Sequence, residues 1–565
     1  MLFQDVFVRK PSRSLFNLKH EKKFSCDFGY LYPILCVEAV PGDTFKLSTE
    51  FLVRCAPLIA PIMHRINVKI NYFFVPNRLV WSEWQDFITG INQSSTYDPT
   101  SSDQSNYFVT KVPPYSSISY AGGVQTYLYD GSLADFLGFP TIPKTSTSDA
   151  SSANPIKVQL LPFRAYQKIY NDWYRNQNVE AEVNFGTSSG LNNSTSSLSA
   201  CFTLRKRMWE KDYFTSALPF AQRGDAVDIP NSGLSFDADG MTVLKDLDGS
   251  VPPTSETGKN VIVKTTSTSQ GLGTNTDSFN VDNSANLKIN MGTINDLRIA
   301  TRLQRWLEIN ARVGGRYIEQ ILGHFGVHSS DARLQRSEYL GGFSAPIVVS
   351  DVEQTSATAG SSSSGSTTPQ ANLAGKASAY SNGKSIKCFC EEHGFIFGIL
   401  SIIPRTTYQN GLPKMFQRDY KEDYFFPEFA NLGEQEVNKA EVFFDLTSSS
   451  NRSFDRFGFQ ERYCEYKYIP STVHGEFKNN LQFWHLGRSF TGSQPSLSKD
   501  FCECNPRNTV FAVESGANHF YVNLINNVTA LRPMPKLRLE DDVKSKNTSA
   551  LFTSCSPRLA NSGKK

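Results

Sequence analysis

A few groups of residues have the types and spacing to do chemistry. Cys388-Phe389-Cys390 and Cys502-Glu503-Cys504 each carry two thiols two positions apart, which on a strand puts both sulfurs on one face. A structural zinc site takes C-x2-4-C pairs or His partners at set spacing, and neither pair has them. Free thiols are the first reading, with a bound metal or a disulfide formed after release from the cell as the alternative. His324 and His328 have the i, i+4 spacing of a helical metal pair. Gly323 and Gly326 disfavour a helix there and the glutamate of H-E-x-x-H is missing, so a structural or interface role is expected. Glu391-Glu392-His393 offers acid and base groups, but proton transfer needs a geometry that neighbours in sequence do not supply. The chain has no G-x-x-x-x-G-K-[ST] and no G-x-S-x-G, and Gly271-Leu272-Gly273 lacks the third glycine of a dinucleotide fingerprint. No catalytic site, metal site or cofactor is predicted.

The remaining chemistry is basic. Arg9-Lys10 with Arg13, Lys19 with Lys22-Lys23, and Arg205-Lys206-Arg207 followed by Trp209 put cations beside aromatic rings. Such groups suit single-stranded nucleic acid, where cations follow phosphates and rings stack on bases. The competing reading is an ordinary surface with snorkelling side chains. From Asn295 to Val313, Leu297, Ala300, Leu303, Leu307 and Ala311 cluster on one side of a helix, with Arg298, Arg302, Arg305 and Arg312 within about 80° on the other. That stripe is a candidate phosphate-binding or subunit-contacting face, or a solvated one. Glu308, one turn from Arg305 and Arg312, is expected to neutralise part of it. Gly314-Gly315 ends the helix.

The elements that must position these groups are mostly strands. Phe45, Leu47, Thr49, Phe51 and Val53 alternate with Lys46, Ser48, Glu50, Leu52 and Arg54, and Ile66, Val68, Ile70, Tyr72 and Phe74 with Asn67, Lys69 and Asn71. Pro57 and Pro61 lie between, which predicts two adjacent strands joined by a Pro-bracketed loop. Phe520, Val522, Leu524 and Val528 repeat the alternation near the other end, and Phe395 to Leu400 is apolar on both faces, as in a sandwich core. Asp98–Ser105, Lys144–Asn154, Gly186–Ala200, Thr265–Ala285 and Glu353–Gly383 are Ser/Thr/Asn/Gly-rich and read as surface loops inserted into the β scaffold. Residues 225–292, with strand-like pieces at Met241–Leu244 and Val261–Val263, read as a small folded excursion. The divisions expected are 1–90, an N-terminal arm and first strands; 91–224, insertions and strands; 225–292, a surface insertion; 293–345, helix and connection; 346–385, a Ser/Gly-rich loop; 386–540, the remaining strands; and 541–565, a tail.

Composition bounds the function. With 57 Lys+Arg against 54 Asp+Glu, a formal charge of +3 excludes a nucleic-acid binder driven by bulk charge. The apolar fraction is 39% but aromatics are 12%, so burial rests on large rings, which favour strands. The longest apolar run, Phe395 to Ile403, is about half of a bilayer span. The N-terminus has no secretory pattern, so folding in a reducing cytoplasm is expected.

Several blocks resemble one family. They are Ser14 to Glu21 (SLFNLKHE), Glu38 to Phe45 (EAVPGDTF), Pro57 to His64 (PLIAPIMH), Phe73 to Leu79, Arg316 to Gly342, Glu391 to Phe395 (EEHGF), Pro427 to Gln435, Tyr466 to Gly475, and Arg532 to Lys536. In this order they resemble the major capsid proteins of microviruses, in the gokushovirus branch, from residue 14 to 536. The resemblance implies an eight-stranded antiparallel jelly roll of the viral capsid type with long insertions and a few helices. It also implies a T=1 shell of about 60 copies around circular single-stranded DNA. Partners implied are the DNA genome, minor capsid proteins and a bacterial host-surface receptor. The chain would be part of the virion, assembled in the host cytoplasm. In this branch an inserted loop forms a protrusion at the threefold axes, and the candidate here is Asp225 to Met291, with Val261, Ile262 and Val263 as its apolar patch.

Two expectations follow. About 60 chains at +3 carry roughly +180, far below the several thousand phosphates, on an order-of-magnitude estimate, of a small genome, so other cations must come from a small basic DNA-binding protein, polyamines or metal ions. Arg9, Lys10, Arg13, Arg205, Lys206 and Arg207 are expected to face the DNA. The alternative class is a β-sandwich carbohydrate-active enzyme or carbohydrate-binding protein. A phage fibre would carry trimeric repeats, which this chain lacks.

Overall fold

Alternation of large apolar and polar side chains every second residue makes a strand with one buried face, and the long strands of this chain follow it. The computed structural model describes residues 12–89, 112–118, 127–143, 156–225, 227, 294–314, 316–353, 355, 373–430, 432–447, 449, 452–490, 492–513 and 518–535, together with the backbone of six short strands between 234 and 289. The strands of the two large sheets in the main unit are β1 (Ser14–Asn17), β2 (His20–Cys26), β3 (Tyr32–Ala39), β4 (Thr44–Cys55), β5 (Ile66–Pro76), β6 (Glu338–Pro346), β7 (Val348–Glu353), β8 (Leu373–Asn382), β9 (Ile386–Phe389), β10 (Gly394–Pro404) and β11 (Phe520–Arg532). The protein is mainly β, and these strands form two antiparallel sheets.

The first sheet has seven strands in the order β1-β11-β4-β8-β7, with β2 also on β11 and β9 also on β4. The second has four, in the order β6-β5-β10-β3. Their facing sides share one core: Phe45, Leu47, Phe51, Val53, Val522 and Leu524 from the first meet Ile34, Val68, Ile70, Tyr72, Ile396 and Ile402 from the second. All eleven residues of β10 are buried. The reason is a second core on the far side of that sheet. There Phe395, Phe397 and Ile399 of β10 and Phe73 and Val75 of β5 pack against helix α1 (Leu161–Ile169), through Phe163, Ala165 and Tyr166.

Against the expectation from the sequence, β4 and β5 are not neighbours. They lie in opposite sheets, and the Pro-bracketed segment between them is a crossover. A second correction concerns Glu353–Gly383 and the loop expected over 346–385. β7 and β8 fall there, and β8 turns Gly375, Ala377 and Ala379 inward beside β4. Its buried side chains are so small that no hydrophobic alternation is visible in the sequence.

One polar bridge crosses the main core. The Thr49 hydroxyl of β4 donates to Asn526 Oδ1 of β11 at 2.8 Å, and its oxygen lies 2.5 Å from the Tyr72 hydroxyl of β5. Asn526 Nδ2 donates to the Ile34 carbonyl of β3 at 3.0 Å. Thr49, Tyr72 and Asn526 are all buried, so each hydrogen bond replaces one to water that the core cannot provide. Burial lifts the Tyr72 phenol to about 12.

A second compact unit comprises Phe220–Gly314 and Leu432–Glu434. Leu234–Phe236 pairs with Leu287–Ile289, Leu244–Asp246 with Phe279–Val281, and Thr265–Thr266 with Ser269–Gln270. The pairs are nested, so the chain runs out and returns along itself. Helix α2 (Ile294–Val313) completes the unit over the range its periodicity predicted.

Candidate nucleic-acid and subunit interfaces

The basic run at 205–207 is laced into the main unit by its backbone. The Leu31 N–H donates to the Arg205 carbonyl and the Arg207 N–H to Gly29, while Cys504 N–H donates to the Arg207 carbonyl and Trp209 N–H to Cys502. The side chains are half-buried. Arg205 donates to Gln167 Oε1 at 2.8 Å and to the Ala200 carbonyl, and sits over the Tyr170 ring. Arg207 donates to Ser401 Oγ at 3.0 Å and sits over Tyr174. Lys206 is tied only at its tip, by a 3.2 Å bond to Asn505 Oδ1, and lies over the Tyr30 ring.

Asn505 lines a cavity of about 440 Å³ whose walls include Trp209, Arg488, Phe490 and Arg507. Arg488 donates to the Phe501 carbonyl at 2.6 Å with its guanidinium 4.0 Å from the centre of that ring, and Arg507 is fixed by Gln482 and the Ser489 carbonyl. Trp209 is buried, and its indole N–H has no hydrogen-bond partner among the described residues. Two held guanidiniums and an indole ring line one opening, with Lys206 bonded to Asn505 of its wall. Cations beside a ring are the elements of a phosphate-and-base site, although Asp500 and Glu503 also line it. The sequence signalled only Lys206 and Trp209. Arg488 and Arg507 lie nearly 300 residues further on and reach the cavity only through the fold.

The other candidates fare differently. Arg13 is exposed just before β1, whereas Arg9 and Lys10, like Val261, Ile262 and Val263, lie outside the described residues. On α2, Arg298, Arg302 and Arg305 are exposed. Arg312 is not neutralised by Glu308: it pairs with Glu434 and donates to the Gly433 carbonyl at 3.1 Å, while Glu308 accepts from Gln304. The apolar side of α2 is buried at Leu307 and Ala311, but Leu297 and Leu303 are exposed.

Helix α3 (Tyr317–Phe325) forms in spite of Gly323, because Glu319 caps its start by accepting from the Arg316 N–H at 3.1 Å and Gly326, at φ +67°, ends it. His324 therefore sits in the last turn and His328 beyond it, so the two imidazoles do not share a helix face. Glu392 pairs with Arg78 at 2.6 Å and His393 packs edge-on against Trp84, a structural corner and not an acid–base pair. The Cys388 and Cys390 sulfurs are 3.8 Å apart, on one face as expected. The hydrogen bond between them favours ionisation of Cys388 and holds the Cys390 thiol up. Cys502 and Cys504 do not share a strand face. Cys502 ends the short helix Lys499–Cys502 and packs with Tyr213 and Phe457, while Cys504 packs with Trp209 and Ile403.

Comparison with known proteins bears on what these surfaces do. The family described as capsid protein (F protein) matches residues 6–540. The chain is 33% identical to capsid protein VP1 of Chlamydia phage 1 over 94% of its own length and 96% of the relative's. It is 34% identical to capsid protein VP1 of Bdellovibrio phage phiMH2K, over 89% and 90% respectively. To capsid protein VP1 of Spiroplasma virus 4 it is 30% identical, over 93% and 94%.

Proposed function

We propose how a shell is built and filled on this premise: the chain belongs to the capsid protein (F protein) family, in its gokushovirus branch, and is a structural, non-enzymatic major capsid protein. It is a virion component that assembles into a multimeric capsid. The carbohydrate-active enzyme considered from the sequence is set aside by that membership.

The scaffold is a jelly roll of eight principal strands, taken in chain order as β2, β3, β4, β5, β6, β8, β10 and β11. Strand order supports this reading: one sheet runs first-eighth-third-sixth and the other second-seventh-fourth-fifth, the interleaving produced by two Greek keys wound together. About 60 copies form a T=1 icosahedral shell around circular single-stranded DNA, through burial of apolar and aromatic surface between symmetry-related copies. The unit around 225–292 is the threefold protrusion and host-attachment element, with Val261, Ile262 and Val263 meeting their symmetry mates. A bacterial surface receptor binds outside, and assembly takes place in the host cytoplasm.

DNA lies against Arg9, Lys10, Arg13, Lys206 and the cavity beside Trp209. Arg205 and Arg207 do not line the cavity and support that wall from within, through bonds to Gln167, Ala200 and Ser401. The observation that carries the nucleic-acid reading is this cavity, where the Arg488 and Arg507 side chains line the wall beside the Trp209 ring. The small net charge supports a cationic companion inside the particle, a small basic protein, polyamine or metal ions. A reconstruction of filled particles, with cation and protein stoichiometry measured on the same sample, tests all of this. Shells with nucleotide density at Trp209 and a cationic companion are expected. Filled shells with neither would refute the DNA reading, and protease or labelling access to residues 9–13 in intact particles would refute their inward placement.

A further inference from the structure

Between β10 and the short pair Glu434–Asn438 and Arg456–Glu461, the chain makes three 3-10 turns, at Lys414–Phe416, Lys421–Asp423 and Pro427–Phe429. They hold Met415, Phe416, Tyr420, Tyr424, Phe425 and Phe426 between 44% and 72% exposed. At ~200 Å² for a fully exposed side chain of this size, roughly 700 Å² of apolar and aromatic surface faces outward. Summed over this one segment, that approaches the about 800 Å² that each partner contributes to a standard protein interface.

The rings are held out by specific bonds. Asp423 accepts from the Asp419 and Tyr420 N–H groups at 3.0 Å each, and those bonds hold its carboxyl below the usual range. Arg462 and the Tyr463 hydroxyl both donate to the Glu422 carbonyl at 3.1 Å, and Phe425 packs edge-on against Tyr463 at 5.2 Å. Arg418 lies 4.5 Å from the centre of the Tyr466 ring and pairs with Glu465. A preorganised apolar surface loses little freedom when it is covered, which favours a protein partner. The charge argues against DNA: Lys414, Arg418 and Lys421 are outnumbered by Asp419, Glu422, Asp423 and Glu428, so the segment is formally −1.

We infer that the 415–426 surface is an assembly contact, covered in the shell by a second copy of this chain. The inference rests on the shell-building reading and gives it a location. The summed area approaches what one side of a stable contact needs, and a chain of a family that assembles into multimeric capsids meets further copies of itself first.

The test uses the full-length chain. Oxidative labelling with peptide mass spectrometry compares Met415, Tyr420 and Tyr424 in dissociated subunits and in DNA-free shells, and protection of at least fivefold on assembly is expected. Phe416→Ser with Tyr420→Ser should leave the circular dichroism of the subunit unchanged and raise the concentration at which shells form at least tenfold. Full labelling in DNA-free shells, protection already present in isolated subunits, or protection only in filled shells would each overturn the inference, pointing to an open surface, to coverage by the chain's own segments, or to nucleic acid. Shells formed by the double variant at the wild-type concentration would also overturn it, while leaving the shell-building reading intact. Wild-type protein that forms no shells or capsomers would overturn both. If the double variant fails to fold, the labelling of wild type decides alone.

Discussion

Thr49→Val replaces a hydroxyl by a methyl of nearly the same shape at the centre of the bridge between the sheets. Thr49 has one hydroxyl proton and gives it to Asn526 Oδ1, so the Tyr72 O–H is the donor in the 2.5 Å contact with Thr49. The substitution leaves two buried groups, Asn526 Oδ1 and the Tyr72 hydroxyl, without their partner. At about 1–3 kcal/mol for each orphaned polar group, the expected loss is ~4 kcal/mol. Tyr72→Phe alone removes a donor but leaves Thr49 bonded to Asn526, so it should cost only ~1 kcal/mol. In the Thr49→Val background the same Tyr72→Phe change removes an orphan and should be neutral or stabilising by ~1 kcal/mol. The sign reversal is the test. Urea unfolding of dissociated subunits, followed by tryptophan fluorescence and far-ultraviolet circular dichroism, gives the four midpoints of the cycle. If Tyr72→Phe is as harmful in the Thr49→Val background as in the wild type, the bridge does not act as a unit and the proton directions assigned to it are wrong.

Gly29→Ala should destabilise the subunit by about 2–5 kcal/mol, because the backbone there has φ +76° and the added Cβ would fall 2.1 Å from the Cys504 carbonyl oxygen; thermal melting of dissociated subunits reads this. Lys22 is held at about 8 by burial, with its ammonium donating to the Pro33 and Phe136 carbonyls. Below about pH 8 both folded and unfolded chains carry its proton; between about 8 and 10.5 the unfolded chain holds more, so stability should rise with pH across that window by up to ~3 kcal/mol. Lys22→Met should abolish that rise, seen as the difference between the two denaturation profiles. Lys206→Met should weaken binding of a single-stranded oligonucleotide severalfold and leave the melting temperature unchanged, whereas Arg205→Met should lower stability by about 1–3 kcal/mol, because it strips hydrogen bonds from Gln167 and Ala200. Equal effects of the two changes on both measurements would remove the distinction between wall and support.

Alternation in β4, β5 and β11 is legible because large rings and branched aliphatics stand against Lys, Asn and Glu. It reports which face of a strand is buried and carries no information about which strand lies alongside, so the placement of β4 and β5 in opposite sheets could not be read. β8 escaped because Gly375, Ala377 and Ala379 have little side chain to pattern. Helix α1 escaped because both its apolar residues and Arg164 and Gln167 are buried, which blurs a 3.6-residue stripe. Thr49 fell correctly on the buried face of β4, but its partners are 23 and 477 positions away. The same distance hid the cavity beside Trp209: its tryptophan, and the lysine bonded to its Asn505, stood out as a local cluster, and its two arginines did not.

The last long strand, β11, lies between β2 and β4 and pairs with both, His20 opposite Asn526 and Leu52 opposite Asn523. During synthesis, β2 and β4 therefore wait for their common neighbour while nearly five hundred further residues are made, about 25–100 s at the usual rate of about 5–20 residues per second. Throughout that interval the first sheet lacks its middle and the main core stays open on one side. Completion of the core thus doubles as a length check: a ribosome that stops early releases a chain with unpaired strand edges, fit for proteolysis and not for a place in the shell.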